Sequence, residues 1–333
     1  MIKSRIWILG ILLSMLFVTA CNKDEDENVD PQVSESETLV KFLESTDSPY
    51  MKDYVNTDMP SIMPASEVKT LSATGDVYII DIRSADDFAA GHIEGAHNVT
   101  VANLLGHVEG INTDDYAKVS IVCYTGQTAG YVTTLLRIMG YDNVYSMKWG
   151  MSSWHEDFAG KWNSNIGNTY TTQFTSDATA KNAEGDLPVL STGHDNGMDI
   201  LEARVDAVFA EGFGPAKVSS QAIFDNLDNY YIVNYWPAGQ YENPGHIPGA
   251  VQYTPKESIS FTADLKTLPT DKPIAVYCYT GQTSAFLAAY LRVLGYDAKS
   301  ILFGTNGMIY DNMVSMDMTT WSDAQIMGYD YVQ

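Results

Sequence analysis

Residues 118–142 read "KVSIVCYTGQTAGYVTTLLRIMGYD". The stretch opens on a short apolar, β-branched run, as a parallel strand buried on both faces requires. It passes through Cys123 into the phrase "CYTGQT", then shows helical spacing over "TAGYVTTLLRIM" as far as Gly140, a natural helix stop. Strand, tight loop and helix in that order make one step of an α/β fold. The same step returns at 273–297 as "PIAVYCYTGQTSAFLAAYLRVLGYD", with Cys278 placed 155 residues after Cys123. Further out, "GHIEGA" at 91–96 returns as "GHIPGA" at 245–250, an offset of 154. Landmarks in one order at one spacing mean a duplicated domain. "VYIIDI" (77–82) and "NVYSM" (143–147) read as further strands of the first unit, "YYIVNY" (230–235) and "KSIL" (299–302) as strands of the second. The amphipathic stretches "ETLVKFLE" (37–44) and "MDILEARVDAVFAE" (198–211) read as their opening helices. The expected fold class is α/β. It comprises two tandem domains, 37–165 and 196–333, each a mainly parallel sheet with helices on both faces. The Thr-, Ser-, Asn-, Asp- and Gly-rich stretch 166–195 reads as a linker.

The 333 residues carry 42 acidic against 19 basic side chains, a formal charge of -23. A surface so poor in cations excludes binding to nucleic acid phosphates, and to anionic lipid by charge. At the N-terminus, Lys3 and Arg5 precede the 15-residue apolar run "IWILGILLSMLFVTA", too short to span a bilayer comfortably and laid out as a secretory signal peptide over 1–20. The following "VTAC" resembles a bacterial lipobox, which implies lipid on Cys21 and an extracytoplasmic protein tied to the cell envelope through that anchor alone. Residues 21–36, polar and acidic, read as a flexible tether. Of three cysteines, Cys123 and Cys278 then remain for chemistry.

Each of these cysteines stands at the carboxyl end of a strand and ahead of a helix, where α/β folds build their sites. Backbone N–H groups and the helix dipole there favour an anion and are expected to lower the thiol pKa. Gly126 and Gly281 let the backbone curl round the sulfur, and Thr125, Thr128, Thr280 and Thr283 offer hydroxyls.

These residues resemble the rhodanese family of sulfurtransferases. The resemblance rests on "DIRSADDFAAGHIEGAHNV", "IVCYTGQT" and "GYDNVYSMKWGMSSW" in the first unit. In the second it rests on "GHIPGA", "AVYCYTGQT" and "GYDAKSILFGTNGM". It implies a catalytic cysteine, Cys123 and Cys278 here, that takes a sulfane sulfur from a small donor (thiosulfate, 3-mercaptopyruvate or polysulfide) as a persulfide and passes it to an acceptor such as cyanide or a thiol, with no cofactor and no metal. Tyr124, Thr125, Gly126, Gln127 and Thr128, with Tyr279, Thr280, Gly281, Gln282 and Thr283, would form the loops that cradle the donor. Cysteine phosphatases share the fold, but their loop is one residue longer and ends in an arginine that grips phosphate; Ala129 and Ser284 stand there instead. Neither loop holds a cation, so a doubly charged donor such as thiosulfate has to be held by backbone N–H groups, the helix dipole or a charge from elsewhere, and a polysulfide or persulfide stays open as the donor. The resemblance also implies an ion pair between Arg83 and an acidic neighbour, with Arg83 and Asp87 structural. Asp81, Arg83 and Asp87 align with the uncharged Asn234, Trp236 and Gln240. His92 and His246 read as loop-fixing residues, and "MKWG" and "LFGTNG" as rims of the sites. A sulfur-carrying, redox-sensing or binding module without turnover stays open as the alternative.

Overall fold

The computed structural model describes residues 33–333. The stretch read as a signal peptide, Cys21 and most of the stretch read as a tether lie outside them. Two five-stranded sheets have the same order. The first is built from β1 (Ile62–Met63), β2 (Val77–Asp81), β3 (His97–Asn98), β4 (Lys118–Val122) and β5 (Val144–Met147), arranged β1-β5-β4-β2-β3. The second is built from β6 (Lys217–Val218), β7 (Tyr231–Asn234), β8 (Val251–Gln252), β9 (Ile274–Tyr277) and β10 (Ala298–Ile301), arranged β6-β10-β9-β7-β8. Every pairing is parallel. The central strands β4 and β9 sit between two neighbours; apart from Lys118 at the start of β4, all their residues are buried, which is why they read as unbroken apolar runs.

Four helices hold the two sites in place and join the halves: α1 (Glu35–Leu43), α2 (Gln127–Ile138), α3 (Gly197–Glu211) and α4 (Gln282–Val293). α1 starts inside the stretch read as tether, because Ser34 caps it by accepting from Glu37 N. α2 and α4 each run from a site loop and are buried almost all round because they pack on one another. Thr134 Oγ1 donates to Phe286 O across that contact at 3.0 Å. A Cβ on Gly130 would lie 2.7 Å from the Phe286 ring, so glycine sets how close the helices approach. α1 of the first half packs on α3 of the second, and one hydrophobic core runs through both halves.

Two segments differ from the sequence reading. Residues 166–195 contain a single short 3₁₀ turn but are held against the second half. Thr175 and His246 exchange backbone hydrogen bonds, Thr179 bridges to Val251 on edge strand β8, and Gly185 N donates to Lys266 O at 2.8 Å. The chain's last residues return to the first half: Met327 N donates to Ser153 O, Tyr329 N to Trp154 O, and His92 and Val332 exchange backbone bonds. An edge of backbone groups without partners recruits such segments. Among the described residues no helix is long and apolar enough to cross a membrane.

Candidate active site

Cys123 and Cys278 follow β4 and β9 directly, and both are free thiols, each 2% exposed. Cys123 Sγ accepts from Gly126 N at 3.2 Å and Ala129 N at 3.4 Å. Cys278 Sγ accepts from Ser284 N at 3.3 Å, and its thiol faces Ser284 Oγ at 3.6 Å. The loops thus curl round sulfur as the sequence led one to expect. The lowered pKa expected for Cys123 does not follow. Burial pushes the Cys123 thiol up, the N–H groups of Ala129, Thr125 and Gly126 pull it partly back, and the Asp81 carboxylate adds to the rise. Removing the sulfur from water outweighs the loop's dipoles.

The loop residues divide. Gln127 and Gln282, expected to cradle the donor, are buried and point across the molecule. Gln127 Oε1 accepts from Phe303 N at 2.9 Å in the rim of the second half, and Gln282 Oε1 accepts from Trp149 N at 3.0 Å in the rim of the first. Thr125 Oγ1 accepts from Gln127 Nε2, and Thr280 Oγ1 from Gln282 Nε2, so these hydroxyls orient the glutamines. Gly126 and Gly281 have φ of 84° and 75°, and a Cβ on either would lie within 2.4 Å of the opposing glutamine oxygen. Here the glycines serve both the curl and the crossing. Thr128 and Thr283 are half-buried in the first turns of α2 and α4. Above the loops, Trp149, Trp162, Trp321 and Phe303 pack together, and Trp162 Nε1 donates to Thr125 O.

The surroundings of the two loop tyrosines differ. In the first half Tyr124 lines a cavity of about 400 Å3 with Arg83, Asp87, Met151, Asp157, Phe158 and Lys161. Its hydroxyl donates to Asp87, and Lys161 Nζ stands 3.3 Å from its ring centroid. In the second half the Tyr279 hydroxyl donates to Gln240, the residue aligned with Asp87. Trp236, aligned with Arg83 and fully buried, stacks on the Tyr279 ring at 5.2 Å. An indole covers one tyrosine, an ammonium the other.

Arg83 forms the structural ion pair that the resemblance implies, and its partner is Asp81. Its guanidinium is buried: Nε and Nη2 reach both Asp81 oxygens, and Nη2 also donates to Gly91 O at 2.7 Å. Asp87 is exposed, and the Ser84 and Tyr124 hydroxyls hold its pKa below the usual carboxylate range. The second half replaces the buried ion pair as a unit, with Asn234 Nδ2 donating to the Tyr277 hydroxyl. His92 Nδ1 faces Phe88 O and stacks on Phe88; His246 lies between Tyr241 O and Asp177 O. Both histidines fix loops.

Lys161, Trp162 and Trp321 escaped the sequence reading. Their only signal was composition: a lysine and an indole beyond the first rim phrase, and an indole beyond the second.

Both halves resemble known proteins. Residues 64–157 and 220–308 each match the family described as "Rhodanese-like domain". The thiosulfate sulfurtransferase GlpE of Shewanella oneidensis is 32% identical over 94 residues, 28% of this chain and 91% of that protein. GlpE of Pseudomonas putida is 30% identical over 96 residues, 29% of this chain and 86% of that protein. SseA of Escherichia coli, a crystal structure described for the rhodanese fold of 3-mercaptopyruvate sulfotransferases, is 15% identical. It covers 79% of this chain and 99% of its own, with a TM-score of 0.28. The two family matches together take in more than half of the 333 residues, each containing one buried cysteine cupped by its loop: the chain belongs to the rhodanese-like domain family and carries the domain twice.

Proposed function

We propose that the protein is a sulfurtransferase acting in two half-reactions through a cysteine persulfide, with sulfur carried on Cys123 and Cys278. The observation that carries this reading is the set of backbone N–H groups aimed at sulfur at the start of α2 and α4, Gly126 N and Ala129 N at Cys123 and Ser284 N at Cys278. Those donors are placed for an anionic sulfur. In the first half-reaction the cysteine thiolate attacks the sulfane sulfur of the donor. The Sγ–S bond forms, the donor's bond to that sulfur breaks, and the electron pair leaves with the remainder of the donor: sulfite from thiosulfate, a thiolate from an organic persulfide. In the second, a nucleophile such as cyanide takes the outer sulfur and returns the thiolate. The names of the GlpE relatives support the reaction class.

The test is intact-protein mass after incubation with excess donor. The wild type should gain two sulfurs, each of Cys123→Ser and Cys278→Ser one, and the double variant none. Loading of Cys278 should be the slower, because Trp236 and Tyr279 stack where the first half has its cavity. Loss of all loading in Cys278→Ser, with the fold retained, would refute a carrier role for Cys123. Near-complete burial of both thiols favours a second reading, a sulfur-holding or redox-sensing module without turnover. Loading with no thiocyanate formed from cyanide would select it.

For localisation we propose envelope anchoring through lipid on Cys21. Cys21→Ser should move the protein from the membrane fraction to the soluble one; an unchanged distribution refutes the anchor.

A further inference from the structure

The cavity of the first half is lined by Tyr124, the residue that follows Cys123, and its charges are uneven. Arg83 brings a guanidinium to the wall, but that charge is already matched by Asp81 in a buried bidentate pair. Left over are one ammonium, Lys161, and two carboxylates, Asp87 and Asp157. Lys161 forms no ion pair among the described residues, and it sits over the Tyr124 ring. Asp87 is fixed by the Ser84 and Tyr124 hydroxyls, and Asp157 by the Tyr331 hydroxyl at 2.7 Å. The remaining lining, Met151, Phe158 and Ala90 with the Tyr124 ring, is largely apolar. The volume of about 400 Å3 is that of a site for a small organic molecule.

A compact dianion would meet one cation and two anions here, with the second cation spent. A molecule with an apolar stem, one carboxylate and one ammonium would meet an opposite charge at each end. Its carboxylate would face Lys161 over the tyrosine ring, and its ammonium would face the carboxylates at the ring's hydroxyl end and beyond. The second half offers no such pattern. Trp236 and Gln240 replace Arg83 and Asp87, and Ser315 stands where the spacing of Gly150 and Gly304 aligns Lys161.

We propose that the donor to Cys123 is a zwitterionic organic persulfide of the amino-acid type, read at its carboxylate by Lys161 and at its ammonium by Asp87 and Asp157. The inference rests on the sulfurtransferase reading and names the substrate class of that site. The step balances: Cys123 Sγ attacks the outer sulfur of R–S–SH, the S–S bond of the donor breaks, and R–S⁻ leaves as the Sγ–S bond forms. The thiol proton of Cys123 passes to the departing thiolate.

The test uses the mature chain carrying Cys278→Ser, so that mass gain reports Cys123 alone. Three persulfides with the same reacting group are compared: cysteine persulfide, its N-acetyl form without the ammonium, and its ethyl ester without the carboxylate. Thiosulfate is a fourth arm. Each masked charge should slow loading about threefold to tenfold, the range for partly exposed ion pairs. Lys161→Ala should slow cysteine persulfide by that factor and leave the ester unchanged, with Lys161→Arg restoring the rate. Asp87→Asn should slow cysteine persulfide but not its N-acetyl form. Equal rates for all three persulfides, or equal slowing of all three by Lys161→Ala, would overturn the donor class. If thiosulfate still loads Cys123, the sulfurtransferase reading survives that result. No loading by any donor would overturn both.

Discussion

At the scale of single residues, the site opposes two forces on one sulfur. Backbone N–H groups of Gly126 and Ala129 point at Cys123 Sγ, yet the sulfur is 2% exposed and its pKa is raised, burial being the largest cause. The reactive species is the thiolate. A raised pKa moves ionisation to higher pH, so at neutral pH less thiolate is present than in a free cysteine, and its fraction goes on growing after a free thiol has saturated. In the Cys278→Ser background, the rate of alkylation of Cys123 by iodoacetamide should therefore keep climbing with pH beyond the ordinary cysteine pKa of about 8.5. A plateau below pH 8 would mean that the loop dipoles win over burial. An organic persulfide eases the difficulty from the other side, since its departing thiolate can take up the proton that Cys123 gives away.

At the scale of elements, the repeated phrase "CYTGQT" has a reason beyond sulfur chemistry. Each loop lends its glutamine to the opposite rim, so the two copies form a reciprocal pair across the contact of α2 with α4. Gln127→Ala or Gln282→Ala would leave a rim N–H, of Phe303 or Trp149, buried without an acceptor, at a cost of about 1–3 kcal/mol each. Chemical denaturation should show both losses. The double variant should lose less than their sum, because opening one crossing already loosens the other; strict additivity would show the crossings to be independent. This pairing also marks where the sequence stops being legible. β2, β4, β5 and their counterparts β7, β9, β10 announce themselves as apolar runs, and α2 and α4 by helical spacing closed with glycine. The edge strands β1, β3, β6 and β8 have two residues each, too few to show any period. The positions of Cys123 and Cys278 were legible because strand end, loop and helix are local. The roles of Gln127, Gln282 and Lys161 were not, because they depend on how one half docks on the other, or on a segment some forty residues from the loop.

At the scale of the whole molecule, the two copies of the domain share too much to act as separate bodies. α1 opens the first half but packs on α3 of the second, with the Glu35 carboxylate accepting from Thr192 N and Gly193 N. Asn56 Nδ2 donates to Ile259 O at 2.7 Å, and Lys256 Nζ to Thr57 O at 2.8 Å. The last residues of the chain return to His92, Ser153 and Trp154. A core that runs through both halves joins these contacts. Destabilising one half should therefore lower the stability of the other by the same amount. Ile232 tests this, because it is buried in a cluster confined to the second half and its linker and lies outside the shared core. Ile232→Ala should cost about 2–5 kcal/mol. In sub-denaturing guanidinium, where local openings are few and Cys123 is alkylated mainly through global unfolding, that loss should appear as faster alkylation of Cys123, far from the substitution and in the first half. The expected factor is the full exponential of the measured loss, about tenfold for each 1.4 kcal/mol. If Cys123 alkylation stays at the wild-type rate while second-half probes shift, the halves unfold independently. The shared core would then be a docked contact between two self-sufficient domains, not the common core of one.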